Sequence, residues 1–255
     1  MNTRKVGVAA GVALLCMSLA TAVAGPLVAR AGWTPGSTCG LTPQAPPADR
    51  GDCTLLVRAR YLGSPVMKQD MPLDCESAAL AVALQIRHID LSQNWVFAQL
   101  PKDTRTAVLS HGVPVVWDDP YSDFVGNVDG SETRYTGYGV YDPPIAAVAE
   151  RAGAKAVGAT GWTTTEIESQ VGAGNPVVIW VNFNFGASGT RTWQARDGRT
   201  VPYTTEEHAV TVIGYDSGAG TVTVMDVGVG LVRTLTTAAF TAALTTFGGM
   251  AVAIS

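Results

Sequence analysis

From Leu73 the chain reads Leu-Asp-Cys-Glu-Ser-Ala-Ala-Leu-Ala-Val-Ala-Leu-Gln-Ile, a run of strong helix formers with hardly a polar position after Ser77. This pattern predicts a helix from Cys75 to about His88, buried on most sides, with Asp74 at its N-cap. Before it, Cys53 to Leu62 sets Leu55, Val57, Ala59 and Tyr61 against Leu56, Arg58 and Arg60, the period-two alternation of a strand. A second short helix is expected over Leu91 to Leu100, stopped by Pro101. Residues 101 to 144 carry no clear period. They are rich in glycine, proline and tyrosine, and they read as long loops with aromatic side chains set to line a substrate cleft. Within them Asn127, Asp129 and Gly130 superficially suggest a calcium loop, but an EF-hand frame would place Val125 at the first ligand position, and solvated turns are expected instead.

Helical spacing returns from Ile145 to Gly153, and again after a Thr163 or Thr164 cap with Glu166, Ile167 and Val171. Pro176 to Val181 is continuously apolar, the pattern of a central strand covered on both faces. Phe183 to Tyr203 reads as a loop or loose hairpin. Strands follow over His208 to Tyr215, Thr221 to Asp226 and Leu231 to Leu235, then a helix over Ala238 to Thr245 and a last strand from Met250 to Ile254. Early helices followed by antiparallel strands make an α+β fold.

Composition narrows the function classes. With 47% hydrophobic and 15% charged residues, the 255-residue chain can bury a large core. A net charge of -4 and no basic cluster beyond Arg4-Lys5 argue against nucleic acid as a partner. Arg4 and Lys5, an apolar stretch from Val6 to Ala24, and the small-residue sites Ala22-Val23-Ala24 and Ala29-Arg30-Ala31 follow the secretory pattern, with an uncleaved membrane anchor as the other reading. Cleavage removes Arg4 and Lys5 and, at the later site, Arg30, but no acidic residue, which moves the formal charge from -4 to -6 or -7. Both readings place the rest outside the cytoplasm. The expected organisation is a signal peptide or anchor over 1–31, an extended proline-rich arm over 32–53, and one domain over 54–255. Losing Cys16 with the leader leaves Cys39, Cys53 and Cys75, and a Cys39–Cys53 bridge across Pro43, Pro46 and Pro47 would leave Cys75 as the free thiol.

A cysteine in the first turn of a helix meets unpaired backbone N–H groups and the positive end of the helix dipole, which favour a thiolate. His208 opens an apolar strand, and Asp226 ends the next, so Cys75, His208 and Asp226 form an ordered candidate triad. Whether the last two share a sheet face depends on the turn between them. Three turn residues at 218–220 put them on one face, and two or four put them on opposite faces unless a bulge intervenes. Gln69, six residues before Cys75, could supply a second oxyanion donor beside the Cys75 N–H. No metal and no cofactor is expected, since the three histidines and Cys75 lack any ligand-pair spacing.

Gln69, the Cys75 helix, His208-Ala209-Val210 running to Gly214-Tyr215-Asp216, and Asp226 together resemble the papain-like cysteine peptidases, and more closely the bacterial C39-like peptidase family, over roughly residues 54 to 255. The resemblance implies a nucleophile helix packed on a C-terminal antiparallel sheet, Cys75 as nucleophile, His208 as base and then acid, Asp226 as orienter and Gln69 in the oxyanion hole. It also implies a peptide or protein substrate, cell-wall peptides among them. Two positions depart from the family pattern: Glu76 stands where many members have glycine, and Val227 where many have proline. Glu76 makes a non-catalytic peptide- or cell-wall-binding module the alternative reading. A third reading, a cell-wall cysteine amidase, fits less well with a glutamine ahead of the cysteine.

Overall fold

The structure is a computed structural model that describes residues 58–255. The expected leader, the proline-rich arm, the Cys39–Cys53 pairing and the first half of the Cys53–Leu62 strand lie outside the described residues. In chain order the elements are β1 (Ala59–Tyr61), α1 (Cys75–Ile86), α2 (Gln93–Gln99), β2 (Lys102–Asp103), β3 (Val108–Ser110), β4 (Val113–Trp117), β5 (Phe124–Val125), α3 (Asp142–Arg151), β6 (Ala156–Ala159) and α4 (Thr164–Gly172). There follow β7 (Val177–Asn182), β8 (Arg191–Ala195), β9 (Thr200–Tyr203), β10 (Glu207–Asp216), β11 (Thr221–Asp226), β12 (Leu231–Thr236), α5 (Thr237–Leu244) and β13 (Ala251–Ile254). Among the described residues no helix is long and apolar enough to cross a membrane.

The main sheet is antiparallel, ordered β12-β11-β10-β7-β13-β6, with β1 added against the far half of β10. Both of its faces are covered. On β7 and β10, Val178, Trp180 and Ala209 enter the core that holds α1, whereas Val177, Ile179, Val181, Val210 and Val212 enter the core that holds Ile167 and Val171 of α4 and Phe240 of α5. All six residues of β7 are buried, as its unbroken apolar run predicts. The α+β architecture, with the Cys75 helix packed on a C-terminal antiparallel sheet, is the papain-like one expected.

Helix α1 is buried from Cys75 through Leu84. Its alanines let it sit close to the sheet, and the Thr211 hydroxyl donates to the Ala79 carbonyl at 2.7 Å, tying mid-helix to β10. Leu80 and Leu84 are fully buried, and truncating either to alanine would cost about 2–5 kcal/mol. The N-cap differs from the expectation. Asp74 occupies the position, but its side chain makes no cap bond and instead accepts from the Met71 N–H at 3.2 Å. At α4 the sequence signal is met in full: Thr163 and Glu166 form a reciprocal capping box.

The stretch without period folds into short strands paired over long distances. β4 pairs in parallel with β8, and β3, β4, β8 and β9 form a second sheet. The 183–203 stretch is thus a hairpin built onto this sheet. Trp117, Tyr138, Trp193 and Tyr203 cluster in the core that also holds α1, with Trp193 5.0 Å from Tyr138 and 4.8 Å from Tyr203 between ring centroids. The aromatic residues expected to line a cleft are therefore largely core: Tyr141 is fully buried, and its hydroxyl meets that of Tyr138 at 2.8 Å.

Candidate active site

The β10–β11 hairpin decides the relation of His208 to Asp226. Asp216 pairs with Thr221, which leaves four turn residues, and this alone would put the two side chains on opposite faces. A bulge between Val212 and Gly214 then adds one residue to β10 and restores the common face. The result is a buried pair, His208 Nε2 to Asp226 Oδ1 at 2.9 Å. Asp226 Oδ1 also accepts from the Gly228 N–H at 3.1 Å, and Oδ2 from Arg233 Nη1 at 2.9 Å. Burial pushes the Asp226 carboxyl up, but the His208 and Arg233 contacts outweigh it and hold the group below its usual range. With Nε2 donating to this carboxylate, Nδ1 is left as the imidazole's base position.

Phe183 and Gly228 both lie against the imidazole. The Phe183 and His208 rings are 4.9 Å apart, and a Cβ on Gly228 would stand 2.8 Å from His208 Cε1. The Gln69 loop is stitched to the same turn through the Gln69 N–H, which donates to the Val227 carbonyl at 2.9 Å. Its carboxamide, expected as an oxyanion donor, gives both N–H groups to the loop itself, to Met71 O and Pro72 O at 2.9 Å each.

Cys75, His208 and Gln69 line one cavity of about 300 Å³, together with Leu73, Glu132, Tyr138, Phe183 and Glu207. The thiol and the imidazole nevertheless have different partners. Strand alternation turns Glu207, Ala209 and Thr211 toward α1 and His208 the other way. Cys75 Sγ accordingly lies 3.8 Å from Glu207 Oε2 and 3.4 Å from Glu76 Oε2, and it accepts the Ala209 N–H at 3.4 Å. His208 is bonded to Asp226, and among the described residues no hydrogen bond joins it to Cys75.

The helix start was expected to favour a thiolate, and the tertiary surroundings reverse that. Burial first, then the carboxyls of Glu207 and Glu76, push the Cys75 thiol well above its ordinary value, against the opposing help of the Ala209 N–H. Glu76 is itself raised by burial to about 7, although its Oε1 accepts the Val140 N–H at 2.6 Å. Burial and the nearby Glu76 lift Glu132 to about 9. Glu207 is raised by burial, then by Glu76 and Glu132. The resting thiol is thus protonated and donates to a neighbouring carboxyl. Asp74 is likewise pushed up to about 6, chiefly by burial.

Sequence reasoning missed Glu207, Glu132, Arg233 and the two glycines that make room, Gly139 and Gly228. Glu207 was legible only as the neighbour of His208. A Cβ on Gly139 would stand 2.3 Å from Glu76 Oε1 and 3.1 Å from Glu207 Oε2, so the absence of a side chain there is what lets the two carboxyls converge.

Similar proteins bear on this geometry. Over 144 residues the chain is 33% identical to the uncharacterized protein YvpB of Bacillus subtilis (strain 168), a match covering 56% of this chain and 54% of that protein. The chain therefore spans about half the length of this curated relative. The crystal structure of a protein from Bacillus anthracis described as a "putative C39-like peptidase" superposes with a TM-score of 0.66 at 28% identity, covering 77% of this chain and 97% of that one. The sequence model of the Peptidase_C39 like family matches residues 61–251, which include Gln69, Cys75, His208 and Asp226. On that match, the chain belongs to the Peptidase_C39 like family.

Proposed function

We propose that the chain is a secreted cysteine-type peptidase that cleaves peptide bonds through an acyl-enzyme, with Cys75 as nucleophile, His208 as base and acid, and Asp226 as orienter. The observation that carries this reading is the single cavity lined by Cys75, His208 and Gln69, with the imidazole held by a buried carboxylate. His208 Nδ1 takes the thiol proton when the side chain of Cys75 rotates away from Glu76 and Glu207. The thiolate attacks the substrate carbonyl, and the new oxyanion is met by the Cys75 N–H at the start of α1 and by Gln69 Nε2, which exchanges a loop carbonyl for it. His208 then gives its proton to the leaving amine, and water attacks the thioester by the same base. The leader pattern in the first 31 residues supports export, as a cleaved signal peptide or as a membrane anchor.

Mature protein is to be incubated with a peptide library that includes cell-wall peptides, beside Cys75→Ala and His208→Ala. Cleavage lost in both variants is the expected result. A second reading, a binding module without catalysis, is favoured by the thiol's hydrogen bonds to two buried carboxyls rather than to the imidazole. Peptide binding without any cleavage by the intact protein would establish that reading and refute the first.

A further inference from the structure

Cys75, Glu76 and Glu207 each offer one ligand atom, and the three atoms lie within 4.8 Å of one another, all buried. Glu207 is only 7% exposed, and its Oε1 finds no hydrogen-bond partner. Glu132 borders the same cavity with a buried and unpartnered Oε1. Ion pairs elsewhere are made by Arg105, Arg196, Arg199, His208 and Arg233, and among the described residues none reaches Glu76, Glu132 or Glu207. A thiol and three carboxyls thus share a site in which, among the described residues, no lysine, arginine or histidine pairs with any of these carboxyls. Such a set must be neutralised by protons or by a cation from solution.

The two sulfur–oxygen spacings fit coordination by a metal of the zinc class, with the carboxyl oxygens within 4.8 Å of each other and drawn together on binding. With ordinary zinc–sulfur and zinc–oxygen lengths of about 2.3 and 2.1 Å, the S–O separations of 3.4 and 3.8 Å correspond to S–metal–O angles of about 100° and 120°. These bracket a tetrahedral arrangement. One thiolate and two carboxylates leave a fourth position for water, and Glu132 lines the cavity that Cys75 and Glu207 also line. Calcium and magnesium would avoid the sulfur.

We propose that Cys75 Sγ, Glu76 and Glu207 form a binding site for one divalent cation of the zinc class, and that its occupation holds the nucleophile out of reaction. Binding replaces the thiol proton and any carboxyl protons with the metal and releases them to solvent. The site itself stands on the geometry alone; its regulatory consequence rests on the peptidase reading.

The test uses chelator-treated full-length protein titrated with cobalt(II), whose near-ultraviolet thiolate charge-transfer band reports a sulfur ligand, and with zinc by calorimetry. One equivalent with the band present is expected, with the band lost in Cys75→Ser and affinity lowered at least tenfold in Glu207→Gln, both folded by circular dichroism. The unmutated protein gives a control that no folding defect can blur: zinc should slow iodoacetamide labelling of Cys75, read on its own peptide by mass, and EDTA should restore it. Absence of stoichiometric binding, binding without the thiolate band, or labelling indifferent to zinc would each overturn the site. A protein that binds cobalt through Cys75 yet cleaves nothing refutes the peptidase reading and leaves the site standing, whereas one that cleaves peptides equally well with zinc bound overturns the regulation.

Discussion

Gly139→Ala is the substitution whose cost follows most directly from the coordinates. The added methyl would sit 2.3 Å from Glu76 Oε1, closer than any real contact of its kind, so the carboxyl or the backbone must move. The carboxyl is anchored by its 2.6 Å bond from the Val140 N–H, and the backbone by the Val125 N–H, which donates to the Gly139 carbonyl at 2.9 Å, and by the Trp180 indole, which donates to the Val140 carbonyl at 3.0 Å. Overpacking of this kind costs about 1–3 kcal/mol, and loss of a buried hydrogen bond to a carboxyl about 1.5–3 kcal/mol, so a combined destabilisation of about 3–5 kcal/mol is expected. Urea unfolding at unchanged slope measures it. A double-mutant cycle isolates the cause, because Glu76→Ala removes the atom that the new methyl would strike. In that background Gly139→Ala should cost about 2 kcal/mol less than in the unmutated protein. A single-mutant cost below about 1 kcal/mol, or additivity within about 0.5 kcal/mol, would refute the account of Gly139 as the residue that makes room for the carboxyls.

On the proposed peptidase reading, Asp226→Ala removes the carboxylate that holds His208 Nε2 and should lower kcat about 10²–10⁴-fold with little change in KM; an effect confined to KM would count against the orienting role. Gly228→Ala places a methyl 2.8 Å from His208 Cε1 and 2.7 Å from Phe183 Cε2, so kcat should fall at least about tenfold, and unchanged kcat would show that the imidazole is not held there. Asp142 is buried and raised from 3.8 to about 6, by burial above all. A raised carboxyl binds its proton more tightly in the folded chain, so this group's contribution to stability falls as pH rises from about 4 to 6. An asparagine side chain in its place carries no such charge. Asp142→Asn should therefore gain on the unmutated protein across that window, by up to about 3 kcal/mol at neutral pH, read from urea midpoints against pH; a pH-independent difference would disprove the linkage.

The amino-acid order by itself determined the elements whose signals are local. Helix α1 follows from its alanine- and leucine-rich run, α4 from the Thr163–Glu166 box, and β7 from a run with no polar residue before its last position. The order Cys75, His208, Asp226 was legible for the same reason, since each sits at or beside the end of a readable element, with Gln69 in the loop that leads to the first. Residues 101–141 were not legible, because strands of two to five residues carry too little period and gain their stability from partners far away, as β4 does from β8. The meeting of His208 with Asp226 was left undecided by spacing and was settled by one bulge, whose extra residue reverses the parity of a strand. Tertiary structure also decided the state of the Cys75 thiol. Glu207 lies 132 residues from Cys75 along the chain, yet folding brings their side chains to 3.8 Å in a site shielded from water. Burial disfavours an isolated negative charge more strongly than one turn of helix dipole favours it, so the thiol that looked activated in sequence rests protonated among carboxyls.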